Sequence, residues 1–161
     1  MKNKLVFIRV WPSPPIAASV ERLLVTIFPE YQVETIDIIR LIKRRKDILL
    51  RNAFATLWQY GPRSLLKADR FKVVYFGTPY LYHTVRDLLR ERLSREREQI
   101  AFTFQLQSLF DASQPGIPHF VYTDHTMLEN LHYSNFDRRK LYSPAWIDLE
   151  RSIYENATCI F

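Results

Sequence analysis

Glycine and cysteine are both scarce, with three glycines and one cysteine in 161 residues. A loop that wraps a phosphate needs closely spaced glycines, because the backbone must approach the ligand without a Cβ in the way. Trp11-Pro-Ser-Pro-Pro15 follows the first apolar run, and neither G-x-G-x-x-G nor G-x-x-x-x-G-K-[ST] occurs in the chain. This argues strongly against classical NAD binding and P-loop NTPase activity. Cys159, lacking a second cysteine, cannot form an internal disulfide and fits a reducing compartment. Long apolar runs are missing too: none approaches the ~20 residues of a membrane span. Lys2 and Lys4 precede Leu5–Ile8, but Arg9 interrupts after four residues, whereas a signal peptide needs roughly 7–15. The expected location is cytoplasmic, and Asn156-Ala157-Thr158 is then an idle sequon.

What is present is apolar and basic. A 47% hydrophobic and 14% aromatic content excludes a disordered chain and suits one domain with a single core. The net charge of +6 is concentrated in Arg40-Leu-Ile-Lys43-Arg44-Arg45-Lys46. On one helix, Arg40, Lys43, Arg44 and Arg51 would share a face opposite Ile42, Leu49, Ala53 and Leu57. That face reads as a solvated helix surface or as a contact for anionic lipid headgroups at the inner side of a membrane. Nucleic acid is the least favoured partner.

Strand-like runs occur at Leu5–Val10, Tyr31–Ile38, Phe71–Phe76, Ile100–Leu106, His119–Thr123 and Cys159–Phe161. Most are nearly continuous in apolar residues, as strands covered on both faces are. Tyr31–Ile38 alternates instead and suits a position near an edge. Helical stripes fill the gaps: Ala17, Val20, Leu24, Ile27 and Phe28; then Leu81, Val85, Leu88, Leu89 and Leu93; then Trp146, Leu149, Ile153 and Ala157. Ser143-Pro144 opens the third with an N-cap and a first-turn proline. The alternation predicts an α/β fold, a Rossmann-like three-layer sandwich with a parallel sheet of about six strands. The apolar ending at Cys159-Ile160-Phe161 reads as a last strand. Residues 1–161 are then expected to be the amino-terminal half of a longer, two-domain protein, and self-association through the cut side is expected.

Parallel strands deliver their C-terminal ends to a ligand crevice. Candidate site residues are therefore Gly77 and Thr78, Gln107 and Ser108, and the cluster Asp124, His125 and Thr126. Trp11 and Ser13 join them from the loop after the first strand. Three of the four histidines lie within 14 residues. His119 begins a strand and His125 follows it, so they should lie roughly 20 Å apart at ~3.3 Å per residue. A shared metal is not expected. Ser108 lacks the G-x-S-x-G elbow of a hydrolase, and Asp124 and His125 should point apart on an extended chain. His125 reads either as a ligand-contacting residue or as a loop histidine held by backbone hydrogen bonds.

The downstream third carries a family likeness. Phe104-Gln-Leu-Gln-Ser-Leu-Phe110, Pro118-His-Phe-Val-Tyr-Thr-Asp-His-Thr126, and Trp146, Glu150, Tyr154 and Ala157-Thr-Cys-Ile-Phe161 resemble the amino-terminal half of family 4 glycosyltransferases. The resemblance implies one half of a GT-B fold: the acceptor-side domain of a metal-independent, retaining glycosyltransferase. It implies no cofactor, with a sugar nucleotide as donor bound mainly by the other half. The acceptor would be a glycan, a lipid or a small molecule. His125 would contact the transferred sugar as the catalytic residue, with Asp124, Thr126 and Gln107 on the same wall. The isolated chain should not turn over. A stand-alone Rossmann-like binding domain and a peripheral anion-binding module remain the alternatives.

Overall fold

Strands buried on both faces, such as Lys4–Arg9 with four consecutive buried residues, pair in parallel and build one five-stranded sheet. The structure, a computed structural model, describes residues 3–11, 15–62 and 68–161. In chain order the elements are β1 (Lys4–Arg9), α1 (Pro15–Ile27), β2 (Gln32–Asp37), α2 (Ile38–Lys43), α3 (Lys46–Tyr60), α4 (Ala68–Tyr75) and α5 (Pro79–Ser94), followed by β3 (Ile100–Leu106), β4 (His119–Tyr122), α6 (Pro144–Asn156) and β5 (Cys159–Ile160). The strand order is β2-β1-β3-β4-β5, every neighbour parallel. The chain winds outward from β1 to β2, then crosses back over β1 to reach β3. That reversal opens a crevice at the C-terminal ends of β1 and β3. The α/β class, the parallel sheet and the edge position of β2 agree with the sequence reading.

Two expectations are corrected. The sheet has five strands rather than about six, because Phe71–Phe76 lies in α4 and the turn after it. A short apolar run cannot be told from a buried helical segment by its pattern alone. Here Val74 is buried while Lys72, two positions earlier, is exposed, although a strand would put both on one face, and α4 docks on α3. Asn52 Nδ2 donates to the Tyr75 carbonyl at 2.7 Å, and the Tyr75 hydroxyl donates to the Leu49 carbonyl at 2.9 Å. The basic helix is also two helices, interrupted at Arg44 and Arg45, where Arg45 leaves the helical region at φ −109° and ψ 82°.

The two sheet faces are covered unequally. Val6, Ile8, Ile36, Ile100 and Val121 face α2, α3, α5 and α6 and form the main core with Leu81, Val85, Leu89, Trp146 and Ile153. Leu5 and Phe7 face the other way, where α1 supplies Ala17 and Leu24. Farther along that face an aromatic ladder continues: Phe102 packs edge-on to both Phe28 and Phe120 at 5.2 and 5.6 Å, and Phe104 stacks on Phe161 at 6.4 Å.

His119 opens β4 inside the protein, with Nδ1 2.7 Å from the Thr103 hydroxyl and a buried Nε2 that has no hydrogen-bond partner among the described residues. Burial pushes its pKa down to about 4, since a charged imidazolium would lose its hydration there; the Asp111 carboxylate opposes this more weakly. A depressed folded-state value means that the contribution of neutral His119 is complete above its ordinary pKa of 6.5 and is lost as pH falls toward 4. We expect His119 to account for a loss of about 2 kcal/mol by pH 5, at up to ~1.4 kcal/mol per pH unit. Chemical denaturation of the parent chain and of His119→Gln across pH 4–7 checks this. Identical slopes would exclude the assignment.

Candidate functional site: a cleft at the strand ends

The loops after β1, β3 and β4 meet α4 and α6 around a cleft of about 500 Å³. One wall is aromatic and apolar. Trp11 packs edge-on against Phe76 with ring centroids 4.8 Å apart, and Tyr142 packs edge-on against Trp146 at 4.5 Å. Val73, Leu109 and Met127 add to the apolar lining, and Gln107, Ser108, Thr123, Asp124, His125 and Thr126 supply a polar rim. Trp146 lines the cleft with an indole N–H that is buried and has no partner among the described residues. Among the described residues, Lys72 is the only lysine or arginine lining it.

The loop after β3 is held in an unusual shape. Gln107 has φ 73°, the only non-glycine residue in the left-handed region among the described residues. Such a backbone costs on the order of 1–3 kcal/mol and persists where surrounding bonds over-determine it. Those bonds are present: Gln107 N–H donates to the Tyr122 carbonyl at 2.8 Å, while Gln105 Nε2 donates to the carbonyls of Gln107 and Phe110 at 2.7 Å each. The bend presents Gln107 and Ser108 to the cleft.

Beneath the rim lies a buried carboxylate. Glu150 is 4% exposed and receives the Met127 backbone N–H on both oxygens at 3.0 and 3.1 Å. The Tyr154 hydroxyl donates to it at 3.2 Å and the Ser108 hydroxyl at 3.4 Å. Tyr154 also donates to Ser108 at 2.8 Å, and Thr123 Oγ1 lies 3.3 Å from Ser108 Oγ. Burial pushes the Glu150 carboxyl upward, because a charge is poorly solvated there; the hydrogen bonds and the nearby His125 act the other way. Burial likewise pushes the Tyr154 phenol up to about 12. This network ties α6 to the strand-end loops and fixes the cleft's shape.

Of the sequence-predicted residues, the cleft collects Trp11, Gln107, Ser108, Asp124, His125 and Thr126. Asp124 Oδ1 lies 3.1 Å from His125 Nδ1, so these neighbours do meet, contrary to expectation. The chain turns after Tyr122 and is no longer extended there. His119 and His125 stand at opposite ends of β4, one in the core and one on the rim. Among the described residues, no group of three or more His, Cys, Asp or Glu side chains converges on a metal position. Ser108 is bonded to Tyr154, Thr123 and Glu150 and has no hydrogen bond to His125, so no nucleophile–base pair forms. Ser13 lies outside the described residues.

Gly77 and Thr78 do not line the cleft. Their expected position at a strand end disappears with the strand. Thr78 instead caps α5, its hydroxyl accepting from the Leu81 N–H at 3.1 Å and donating to Asn52 Oδ1. Asp37, at the end of β2, is bound to Arg9 and Arg40 rather than open to a ribose. The sequence reading gave Glu150 no role of its own, although a signal exists. Trp146, Glu150 and Tyr154 recur every four residues, placing an acid on a helix face that is otherwise aromatic and apolar. Comparison with family models, with curated proteins and with solved structures returned no match.

Proposed function

We propose that the chain is the acceptor-side domain of a retaining glycosyltransferase and that its cleft holds a neutral, partly apolar acceptor. One observation carries this: the aromatic side chains of Trp11, Phe76, Tyr142 and Trp146 line the same cleft as a hydroxyl, amide and imidazole rim at the strand ends. Sugar rings present apolar C–H faces and polar edges, which such a wall and rim complement. A sugar nucleotide makes a different demand, because its diphosphate needs clustered donors and positive charge. Here Lys72 shares the lining with the carboxylates of Asp124 and Glu150, and no glycine is among the described lining residues. The division of labour matches the family resemblance, with the donor's phosphates held by another domain. His125 would hydrogen-bond the transferred sugar, and alignment of the two substrates would supply much of the rate.

Trp11 and Trp146 serve as reporters. Titration of the chain with phenyl and short alkyl glycosides should change their fluorescence saturably, whereas uridine diphosphate glucose should not. Saturable binding of the sugar nucleotide with no response to glycosides would overturn the proposal in favour of a stand-alone nucleotide-binding domain.

A further inference from the structure

Helix α3 is apolar on its outer side. Its inner face buries Asn52 and Thr56 alongside Ile48, while Leu50, Phe54 and Trp58 are 61%, 64% and 94% exposed. Asn52 and Thr56 are satisfied internally: Asn52 bonds the Tyr75 carbonyl and the Thr78 hydroxyl, and Thr56 bonds the Asn52 carbonyl. The three outward residues recur at i, i+4 and i+8, a single ridge about 12 Å long. An ordinary surface helix has the reverse arrangement, with its apolar stripe inward.

The charge beside this ridge is one-sided. Residues 38–60 hold six basic side chains (Arg40, Lys43, Arg44, Arg45, Lys46 and Arg51) against Asp47 alone, so +5 of the chain's net +6 resides there. Asp47 is engaged by Arg45 at 3.0 Å, and Arg40 by Asp37 at 3.1 Å. Lys43, Arg44, Lys46 and Arg51 are exposed and have no ion pair among the described residues. No helix among the described residues is long and apolar enough to cross a membrane.

We infer that α2 and α3 form a docking surface for a bilayer containing anionic lipid, with Leu50, Phe54 and Trp58 entering the headgroup boundary. The charge complementarity is with the lipid phosphates: free lysine and arginine side chains flank the ridge and would meet them as it enters. Tryptophan favours that boundary because its ring is apolar while its N–H stays hydrogen-bonded. An aliphatic Leu50 in the same ridge suits acyl chains and gives a nucleic-acid base nothing to pair with. This surface is separate from the cleft, and the inference stands independently of the acceptor proposal.

The test is co-flotation of the 161-residue chain with vesicles of neutral phosphatidylcholine, with and without 30 mol % phosphatidylglycerol (about a third, a strongly anionic surface). Trp58 fluorescence is read in parallel. Binding is expected only to the anionic vesicles, with a blue shift, and with loss at high salt. Lys43→Gln, Arg44→Gln and Arg51→Gln should each weaken it roughly fivefold. Phe54→Ser with Trp58→Ser should weaken it on the order of tenfold or more. Trp58→Phe should keep flotation and lose the blue shift, since Trp11 and Trp146 line the cleft. Circular dichroism confirms folding of each variant, whose substituted side chains are exposed. Absence of flotation at low salt overturns the inference, as does flotation unchanged by the serine variants. Single-stranded RNA binding without vesicle binding overturns it too, as does a chain dimer that buries Trp58 and leaves vesicles unbound.

Discussion

Gly77→Ala is expected to lower folding stability by about 3 kcal/mol or more, at the upper end of overpacking costs. A Cβ at residue 77 would lie 2.3, 2.4 and 2.6 Å from three ring atoms of Tyr142. These contacts are far inside van der Waals range, and the obstacle is a buried ring rather than a flexible tip. Tyr142 cannot yield easily, because its other neighbour is Trp146, 1% exposed and 4.5 Å away between ring centroids. The backbone is equally constrained: the Tyr60 hydroxyl donates to the Gly77 carbonyl and accepts from the Ser143 N–H at 3.1 Å. A shift of Tyr142 also moves one wall of the cleft, so glycoside binding should weaken along with stability. Thermal and chemical denaturation measure the first effect. Introducing Gly77→Ala into a Tyr142→Leu background should cost much less than in the parent, a coupling that isolates the contact. An unchanged melting temperature for Gly77→Ala alone would refute the packing argument.

His125→Ala should act on function with little effect on stability. If the chain is the acceptor-side domain proposed above, sugar transfer by the complete enzyme should fall about 30- to 1000-fold, the effect of losing one well-placed hydrogen-bond donor. The side chain is about one-third exposed on the cleft rim, so little core packing is lost. Asp124 lies against Nδ1, which orients the ring and leaves Nε2 as the nitrogen available to a ligand. Asp124→Asn should therefore give a smaller loss of the same kind, because it disturbs orientation without deleting the ligand contact. Turnover and melting temperature measured on the same preparations decide the matter. Near-normal turnover of His125→Ala, with reduced stability, would identify it as a loop histidine holding backbone.

The chain carries its architecture openly. Continuous apolar runs at β1, β3 and β4 can be stable only with both faces covered, and the stripes of α1, α5 and α6 repeat at helical spacing over three or more turns. Together they leave a parallel sheet flanked by helices as the consistent solution. Strand ends followed by polar clusters likewise point to Gln107, Ser108, Asp124 and His125, because parallel strands all release their loops on one side. The six-residue segment Phe71–Phe76, apolar but for Lys72, carries no such long-range consistency, and packing against α3 decides its state. The break at Arg45 escapes notice for the same reason: good helix formers lie on both sides of it.

Sequence alone determined the α/β class, the parallel pairing, the edge position of β2 and the loops that bear the polar rim. These follow from local periodicity and from the need to satisfy backbone hydrogen bonds. Only the tertiary structure decided that Glu150 is buried beneath Ser108 and Met127, that Tyr142 fills the space above Gly77, and that Leu50, Phe54 and Trp58 face outward. Each depends on which side of a helix meets the sheet, a choice made by the summed packing of all the elements. For α3 that sum favours two satisfied polar side chains inside over three apolar ones, because Asn52 and Thr56 have hydrogen-bond partners waiting on α3, on α4 and at the N-cap of α5.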